Sequence, residues 1–224
     1  MAELSVFIPD TKQSARWEPI GNGRCLYLGY REKPGLFQKR KEKKHLLRAK
    51  GTSTLQPEFS EKLSLPLLSG NGEILVHSLC DRLVPKAAED GGLVLSVGKS
   101  YDTAAILKIA KKVRTLEIIM AEDDGHLAEC IGEETGLVVP VHNAFHPANK
   151  IFMRLPGGMA CGGGAIDLSS PQKTCLFAPP EELRPICRIV GSDGDTLEAL
   201  LRFFGIPYDR ADIFLSKITK LCRK

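Results

Sequence analysis

Aspartate and histidine side chains cluster in one part of the chain, where three of the five histidines fall within residues 126–146. Carboxylate oxygens and imidazole nitrogens together suit zinc, manganese or iron, and such a metal activates water or acts as a Lewis acid. The cluster predicts a divalent-metal site, the only cofactor that the sequence suggests, in a metal-assisted hydrolase or transferase. The candidate metal ligands are His142, His146 and Asp123, and the candidate catalytic groups are Asp123, Asp124 and His142.

A structural alternative exists for the same cluster. The sequence HNAFHP differs from the HExxH pattern of a zinc-binding helix, and Pro147 argues against a helix at this point. Under this alternative, Asp123 or Asp124 caps a helix and the histidines lie on the surface.

A second candidate site is the segment Gly98-Lys99-Ser100, which follows a predicted strand and precedes a predicted helix. The unpaired N–H groups of a helix N-terminus attract phosphate or carboxylate. We therefore predict that Gly98, Lys99 and Ser100 bind a small anionic ligand. The segment is not a Walker A loop, because Leu93 stands where that motif requires its first glycine. The alternative is a solvated lysine beside a helix capped by Ser100 or Asp102.

Two weaker candidates lie elsewhere in the chain. The carboxylate of Asp193 is the fourth candidate ligand-binding group, since it suits a ribose or sugar hydroxyl, as does Tyr101. Cys161 is a candidate nucleophile, although a small residue in a tight turn explains it better. No GxGxxG sequence follows a predicted strand, so the standard dinucleotide fingerprint is absent.

The elements that position these residues are clearest between residues 92 and 141. Residues 93–97 and 116–120 are short apolar runs, typical of strands buried on both faces. Apolar residues recur at helical spacing after each run, and a further strand is predicted over residues 137–139. This alternation predicts an α/β fold with a doubly wound, mainly parallel Rossmann-like sheet.

The sequence also predicts elements on either side of this core. Residues 73–79 (EILVHSL) and 186–190 are predicted strands, and the last helix is predicted from Asp209, with Ile213 and Phe214 facing inward. Residues 151–155 and 165–168 are predicted as a hairpin-like pair of strands around a glycine-rich flap at residues 156–164.

Polar side chains follow five of the predicted strands. Ligands of open parallel sheets bind outside the carboxyl ends of the strands, so these side chains are expected at one rim. The alternative for any single residue is a helix cap or a solvated side chain. The residues are His77, Ser78, Gly98 to Asp102, Glu122 to Asp124, His126, His142, Asn143, His146, Ser192, Asp193 and Asp195.

Charge distribution suggests a boundary near residue 70. Residues 1–70 hold 13 Lys and Arg against 7 Asp and Glu, whereas residues 71–224 hold 18 against 20. We predict a small, basic, β-containing segment over residues 1–70. Its runs LSVFI (residues 4–8) and RCLYLGY (residues 24–30) are predicted to pair as strands across the turn formers around Pro19 and Gly21-Asn22-Gly23. This segment is predicted to pack on the main sheet or to extend it. Residues 71–224 are predicted to form the Rossmann-like domain.

The basic run Lys39–Lys44 gives a different candidate function, contact with nucleic acid or an acidic protein. No aromatic residues interleave its lysines, so it offers no stacking platform for single-stranded nucleic acid. A solvated face is the structural alternative.

The lengths of the apolar runs, the first residues and the distribution of cysteines argue against a membrane-spanning or secreted protein. The net charge is +4, and no apolar run approaches the roughly 18–20 residues of a membrane span. The first residues lack the pattern of a secretory signal, and the seven scattered cysteines are typical of reduced, buried thiols. These features predict a cytoplasmic protein without membrane partners.

Two hypotheses follow. The first is an enzyme or binding protein for a small anionic ligand, phosphorylated or carboxylated, at the carboxyl ends of the strands. The second is a non-enzymatic interaction module that binds through Lys39–Lys44. The convergence of polar residues at the predicted rim favours the first.

Overall fold

The structure is a computed structural model that describes residues 1–9, 15–31, 43–44, 46–88, 92–122, 125–144, 151–160, 166–169 and 175–215. The chain forms two units. The first combines Met1–Asn71 with Pro179–Ala211, and the second combines Gly72–Ala178 with the segment from Asp212 onward. Residues 179–211, which sequence analysis places with the Rossmann-like domain, thus belong to the same unit as the N-terminal segment.

Five parallel strands form the sheet of the second unit, in the spatial order β6-β5-β4-β7-β8. The predicted doubly wound α/β fold is confirmed. The strands are β4 (Gly92–Ser96), β5 (Thr115–Ile119), β6 (Val141–His142), β7 (Ile151–Arg154) and β8 (Ile166–Asp167).

Helices of this unit are α2 (Glu73–Ala87), α3 (Thr103–Ala110) and α4 (His126–Thr135). Helices α3 and α4 connect β4 to β5 and β5 to β6, and α3 packs between α2 and α4. Leu93, Val94 and Leu95 of β4 are all buried, as expected for a strand covered on both faces.

Helix α2 replaces the predicted strand over residues 73–79, so that prediction is wrong. The pairs Leu75-Val76, Leu79-Cys80 and Leu83-Val84 are buried at helical spacing, which becomes evident only over three turns. A window of seven residues shows the same side chains as one apolar run.

Pro85 lies in the last turn of α2 without ending the helix there. A proline has no N–H to donate to the carbonyl oxygen four residues earlier, which here belongs to Asp81. The ammonium of Lys112 donates to that oxygen at 3.1 Å and also pairs with the Asp81 carboxylate at 3.2 Å. A side chain thus replaces the hydrogen bond that proline removes.

Strand β6 begins after Pro140, so the strand predicted over residues 137–139 is also wrong. Val141–His142 pairs with the end of β5 at one edge of the sheet. The Pro140 carbonyl accepts the N–H of Ile118 at 2.9 Å. Pro140 therefore lies at the edge of the sheet, where its missing N–H leaves no carbonyl oxygen of a partner strand without a donor.

The strands on either side of the glycine-rich segment are parallel. Met153 and Arg154 of β7 pair with Ile166 and Asp167 of β8. The predicted hairpin-like arrangement is therefore wrong, because a hairpin requires antiparallel strands.

The first unit contains a three-stranded sheet in the order β1-β3-β2. Its strands are β1 (Ala2–Pro9), β2 (Arg16–Ile20) and β3 (Gly23–Tyr30). The two predicted strands form β1 and β3, which pair with each other in parallel. The strand that pairs with β3 across the turn at Gly21-Asn22-Gly23 is β2, which is not among the predicted strands. Helix α1 (Pro57–Leu63) supplies Phe59, whose ring stacks on Phe7 with centroids 3.9 Å apart.

The first unit also contains the helices α5 (Arg184–Val190) and α6 (Gly194–Phe204). The strand predicted at residues 186–190 is wrong. Pro185 lies in the first turn of α5, where a proline favours a helix start because its missing N–H would be unpaired anyway. Helix α5 contacts β1, and the Asn22 N–H donates to the Phe204 carbonyl at 3.2 Å.

The segment predicted as the last helix begins as a strand. β10 (Asp212–Leu215) pairs antiparallel with β9 (Cys175–Ala178) in the second unit. Ile213 is buried and Phe214 is 43% exposed, which is the alternation of a strand. Residues 216–224 lie outside the described part of the chain.

Candidate ligand-binding crevice

The order of the five strands creates a topological switch point. From β4 the chain proceeds outward through β5 to β6, and then returns to the opposite side of β4 with β7. β4 and β7 are neighbours in the sheet, but the chain proceeds from β4 toward one edge of the sheet and from β7 toward the other. In open α/β sheets a crevice forms at this point, outside the carboxyl ends of the strands, and ligands bind there.

A cavity of about 550 Å³ lies at this switch point. We call it the switch-point crevice, and its volume is within the range of small-molecule sites. Its lining consists of Glu73, Val97, Gly98, Lys99, Ser100, Met120, Ala121, Glu122, Pro156, Gly157 and Met159. The structure thus brings all three residues of the predicted anion-binding segment to the crevice.

Glycines allow the loop after β4 and the loop after β7 to touch. A β-carbon at Gly98 would lie 2.7 Å from the carbonyl carbon of Gly157, and one at Gly158 would lie 2.5 Å from the Ser96 carbonyl oxygen. Gly157 has a φ of +75°, which favours glycine. Any side chain at Gly98 or Gly158 would force the two loops apart.

Hydrogen bonds fix the loop after β7 in this position. The Ser96 hydroxyl donates to the Met159 carbonyl at 3.0 Å, and the Leu155 N–H donates to the Ser96 carbonyl at 2.9 Å. The Arg154 guanidinium donates to the Gly158 carbonyl at 2.7 Å and to the Asp167 carboxylate at 3.2 Å. The loop is thereby tied to both β4 and β8.

Asp167 carries a shifted pKa in this network. Partial burial raises the pKa of its carboxyl group. Hydrogen bonds from Ser169 and the charge of Arg154 lower this pKa by a larger amount, so the net pKa lies below the ordinary value. Asp167 therefore remains ionised and keeps Arg154 oriented toward Gly158.

Lys99 and Glu122 meet across the opening of the switch-point crevice. The Lys99 ammonium lies 2.7 Å from the Glu122 carboxylate, and the two side chains are 70% and 72% exposed. Solvent screens such a pair, which typically contributes about 0–1 kcal/mol. Either group can therefore exchange its partner for a ligand at little cost.

The N-terminus of α3 is capped by the protein itself. The Asp102 carboxylate accepts the N–H groups of Ala104 at 3.0 Å and Ala105 at 3.2 Å. These are two of the N–H groups that an anion would need. Asp102 is thus the cap of this helix, and Lys99 and Ser100 provide the polar donors on this side of the crevice.

Of the other predicted catalytic, metal and ligand-binding residues, the structure describes Asp193 and His142. Asp193, in the first unit, caps α6 by accepting the Thr196 N–H at 3.0 Å. His142, on the edge strand β6, lies with its Nε2 3.9 Å from a Glu117 oxygen and does not line the crevice. Asp123, Asp124, His146 and Cys161 lie outside the described residues. Among the residues that the structure describes, no three His, Cys, Asp or Glu side chains converge as a metal site.

A second cavity, of about 440 Å³, lies between α2 and the start of α3. Its polar lining includes His77 and Ser78, which the sequence places at a strand end and the structure places on α2. Glu73 lines both this cavity and the switch-point crevice, so the two are adjacent.

Several crevice residues are missed by sequence reasoning. Glu122 is on the predicted rim without an assigned role, and Met120, Gly157 and Met159 are not candidates at all. The sequence does hold a signal for Gly157, because paired glycines directly after an apolar run indicate close backbone approach.

The structure describes only some of the residues on which the predictions for the basic run and the cysteines depend. Lys39–Glu42 of the basic run lie outside the described residues, and only Lys43 and Lys44 of that run are described. The described cysteines, Cys25, Cys80, Cys130, Cys175 and Cys187, are all free thiols. Within the described part of the chain, no helix has the length and apolar character needed to cross a membrane.

Comparison of the chain with protein-family models, curated proteins and solved structures finds no significant match. The function is therefore inferred from the geometry of the site alone.

Proposed function

We propose that the protein binds a small anionic molecule, phosphorylated or carboxylated, in the switch-point crevice. The observation that supports this proposal is the placement of Gly98, Lys99 and Ser100 at the point where the strand order reverses. General experience with open α/β sheets makes this the expected ligand site.

Lys99 is the group that recognises the anion. Its pairing with Glu122 is solvent-exposed, so a phosphate or carboxylate that enters the crevice competes for the ammonium against a weak interaction. The Ser100 hydroxyl supplies a further donor. The backbone N–H groups of α3 contribute little, because Asp102 already occupies two of them.

Among the described residues of the lining, Glu73 and Glu122 carry the carboxylates that a reaction in the crevice would use as acid–base groups. The metal-assisted hydrolase or transferase suggested by sequence would also require Asp123, Asp124 or His146. Ligand binding is accordingly the primary proposal. A catalytic role would be shown by conversion of the bound ligand to a product.

Thermal denaturation with a panel of phosphorylated and carboxylated metabolites tests the proposal. A ligand at 100 times its dissociation constant stabilises the native state by about 2.7 kcal/mol, which corresponds to an increase of roughly 5–10 °C in the melting temperature. The Lys99→Ala variant should lose most of this increase.

Lys111→Ala is the matched control. Lys111 pairs with Glu134 at 3.0 Å, and both side chains are exposed, so this pair resembles Lys99–Glu122 but does not line the crevice. The variant should retain the increase in full. The proposal is wrong if no anionic metabolite raises the melting temperature, or if the two lysine variants lose the increase equally.

A further inference from the structure

The lining of the switch-point crevice contains more than an anion site requires. Five of its residues are apolar, namely Val97, Met120, Ala121, Pro156 and Met159. Met159 also packs against the buried cluster of Val94, Ile119 and Phe152, so its position is supported by the core. A phosphate or carboxylate alone gains nothing from such a surface. The ligand must therefore carry an apolar part.

The thioether of Met159 favours a flat, aromatic apolar part. Thioether sulfur makes favourable contacts with aromatic rings, and the unbranched methionine side chain adapts to different ring shapes. Met120 and Met159 come from the loops after β5 and β7, on opposite sides of β4. Met120 is buried, only 3% exposed, whereas Met159 is partly exposed, so a ring in the crevice would contact the side chain of Met159.

Glu122 supplies a different kind of recognition. It follows β5, the strand next to β4 on the side away from the switch point. A carboxylate only accepts hydrogen bonds, and its two oxygens match two neighbouring hydroxyl groups of a sugar. In doubly wound sheets, a carboxylate that follows the glycine-containing loop by about 20 residues bonds ribose hydroxyls.

We propose that the ligand of the switch-point crevice is a ribonucleoside that carries a single anionic group. This inference rests on the proposed function and names its ligand class. Glu122 accepts hydrogen bonds from the 2′ and 3′ hydroxyls, the base lies against Met159, and Lys99 binds the anionic group.

The limit of one anionic group follows from two observations. A pyrophosphate in such folds binds at the N-terminus of the helix after the first strand, and here Asp102 already caps that helix with its carboxylate. The Glu122 carboxylate also repels additional negative charge near Lys99. Nucleoside triphosphates and dinucleotides should therefore bind more weakly than nucleoside monophosphates.

Calorimetric titration of the full chain tests this assignment with ribonucleoside monophosphates, their 2′-deoxy counterparts, ribose 5-phosphate and inorganic phosphate. A ribonucleoside monophosphate should bind, and its 2′-deoxy form should bind roughly 10- to 100-fold more weakly, because one hydrogen bond to a charged group is lost. Ribose 5-phosphate, which lacks the base, should also bind at least roughly 10-fold more weakly.

Glu122→Gln should bring the affinities of the ribo and deoxy forms to within about 3-fold of each other, while circular dichroism shows the same fold. Glu134→Gln, which alters the surface pair with Lys111, should leave their ratio unchanged.

Three results would overturn the inference: equal binding of ribo and deoxy forms, a ratio unaffected by Glu122→Gln, or ribose 5-phosphate binding as tightly as the nucleotide. In each case the proposed function stands if Lys99→Ala still weakens binding of the anion. If no nucleotide binds but another anionic metabolite does, only the nucleoside assignment falls. If no anion binds, both fall.

Discussion

The backbones of Gly98 and Gly157 touch, so that a β-carbon on Gly98 would lie 2.7 Å from the carbonyl carbon of Gly157 and 2.9 Å from its Cα and carbonyl oxygen. This contact joins the loops after β4 and β7 at the switch point. It holds one wall of the crevice against the other without any side chain between them.

Gly98→Ala should therefore destabilise the protein and weaken ligand binding together. The new methyl group meets backbone atoms, which cannot rotate away, and overpacking of this kind costs about 1–3 kcal/mol. Urea denaturation measures the free energy of unfolding, and calorimetric titration with a ligand found in the thermal panel measures the affinity.

Gly132→Ala is the control for this substitution. Gly132 lies within α4, and a β-carbon added there would have the Leu137 carbonyl oxygen as its nearest neighbour, 3.6 Å away. Alanine is favoured over glycine in a helix by up to about 1 kcal/mol, so this variant should be unchanged or more stable. Equal destabilisation by both substitutions would show that the Gly98–Gly157 contact has no special role.

Asp193→Ala should lower stability without changing ligand affinity, because the structure shows Asp193 as the cap of α6. Its carboxylate accepts the N–H and the hydroxyl of Thr196 at 3.0 and 2.9 Å. Loss of such a cap costs about 0.5–2 kcal/mol, whereas Asp193→Asn should retain most of the stability because asparagine also caps helices. Reduced ligand affinity in a stable Asp193→Ala variant would instead support the ligand-binding role predicted from sequence.

The stabilising effect of Asp167 should depend on pH. Its folded-state pKa is lowered, so its contribution is present above the unfolded-state value of about 3.9 and disappears as the pH falls through the folded-state pKa. The carboxylate is 35% exposed, which limits the contribution to about 1 kcal/mol or less. Asp167→Asn should be less stable than the wild type at pH 7, with a difference that shrinks below about pH 4. A difference that is the same at about pH 7 and about pH 3 would contradict this assignment.

Cysteine alkylation should distinguish buried thiols from a partly exposed one. Burial raises the pKa of both Cys25 and Cys187 to about 12, and burial raises the pKa of Cys80 as well. At pH 8 a thiol with a pKa of about 12 is a thiolate in about one molecule in 10,000, and only the thiolate reacts. Cys130 is partly exposed on α4.

Iodoacetamide at about pH 8 should accordingly modify Cys130 in the native protein and leave Cys25, Cys80 and Cys187 unmodified until denaturant is added. Peptide mass mapping identifies each site. Modification of Cys25 at the rate of Cys130 in the native protein would show that β3 opens readily.

Local patterns in the sequence are sufficient for the central strands and helices. Strand β4, helix α3 and strand β5 have unambiguous periodicities and a clear cap at Asp102, and all three form as predicted. Helix α2 escapes prediction because its apolar pairs resemble a strand over seven residues. Helix α5 escapes it because a proline such as Pro185 is compatible both with the end of a helix and with its start.

The crevice can be predicted only on one side. Gly98, Lys99 and Ser100 follow a recognisable strand, so their types and positions identify them. Gly157 and Met159 enter the site because β7 pairs with β4 across a long stretch of sequence, and no local pattern determines which strands become neighbours. The sequence therefore predicts one common rim for all the strand ends, although His142 does not line the crevice and Asp193 belongs to the first unit.

The division of the chain has a consequence for its synthesis. Strand β1 and the turn at Asn22 are translated first, whereas α5 and α6, which contact them, follow only after residues 72–178. At about 5–20 residues per second, a ribosome needs roughly 5–20 seconds to reach those helices. The nascent N-terminal sheet spends that interval without its helical partners, so the apolar side chains that these helices cover stay exposed until residues 184–204 have been synthesised.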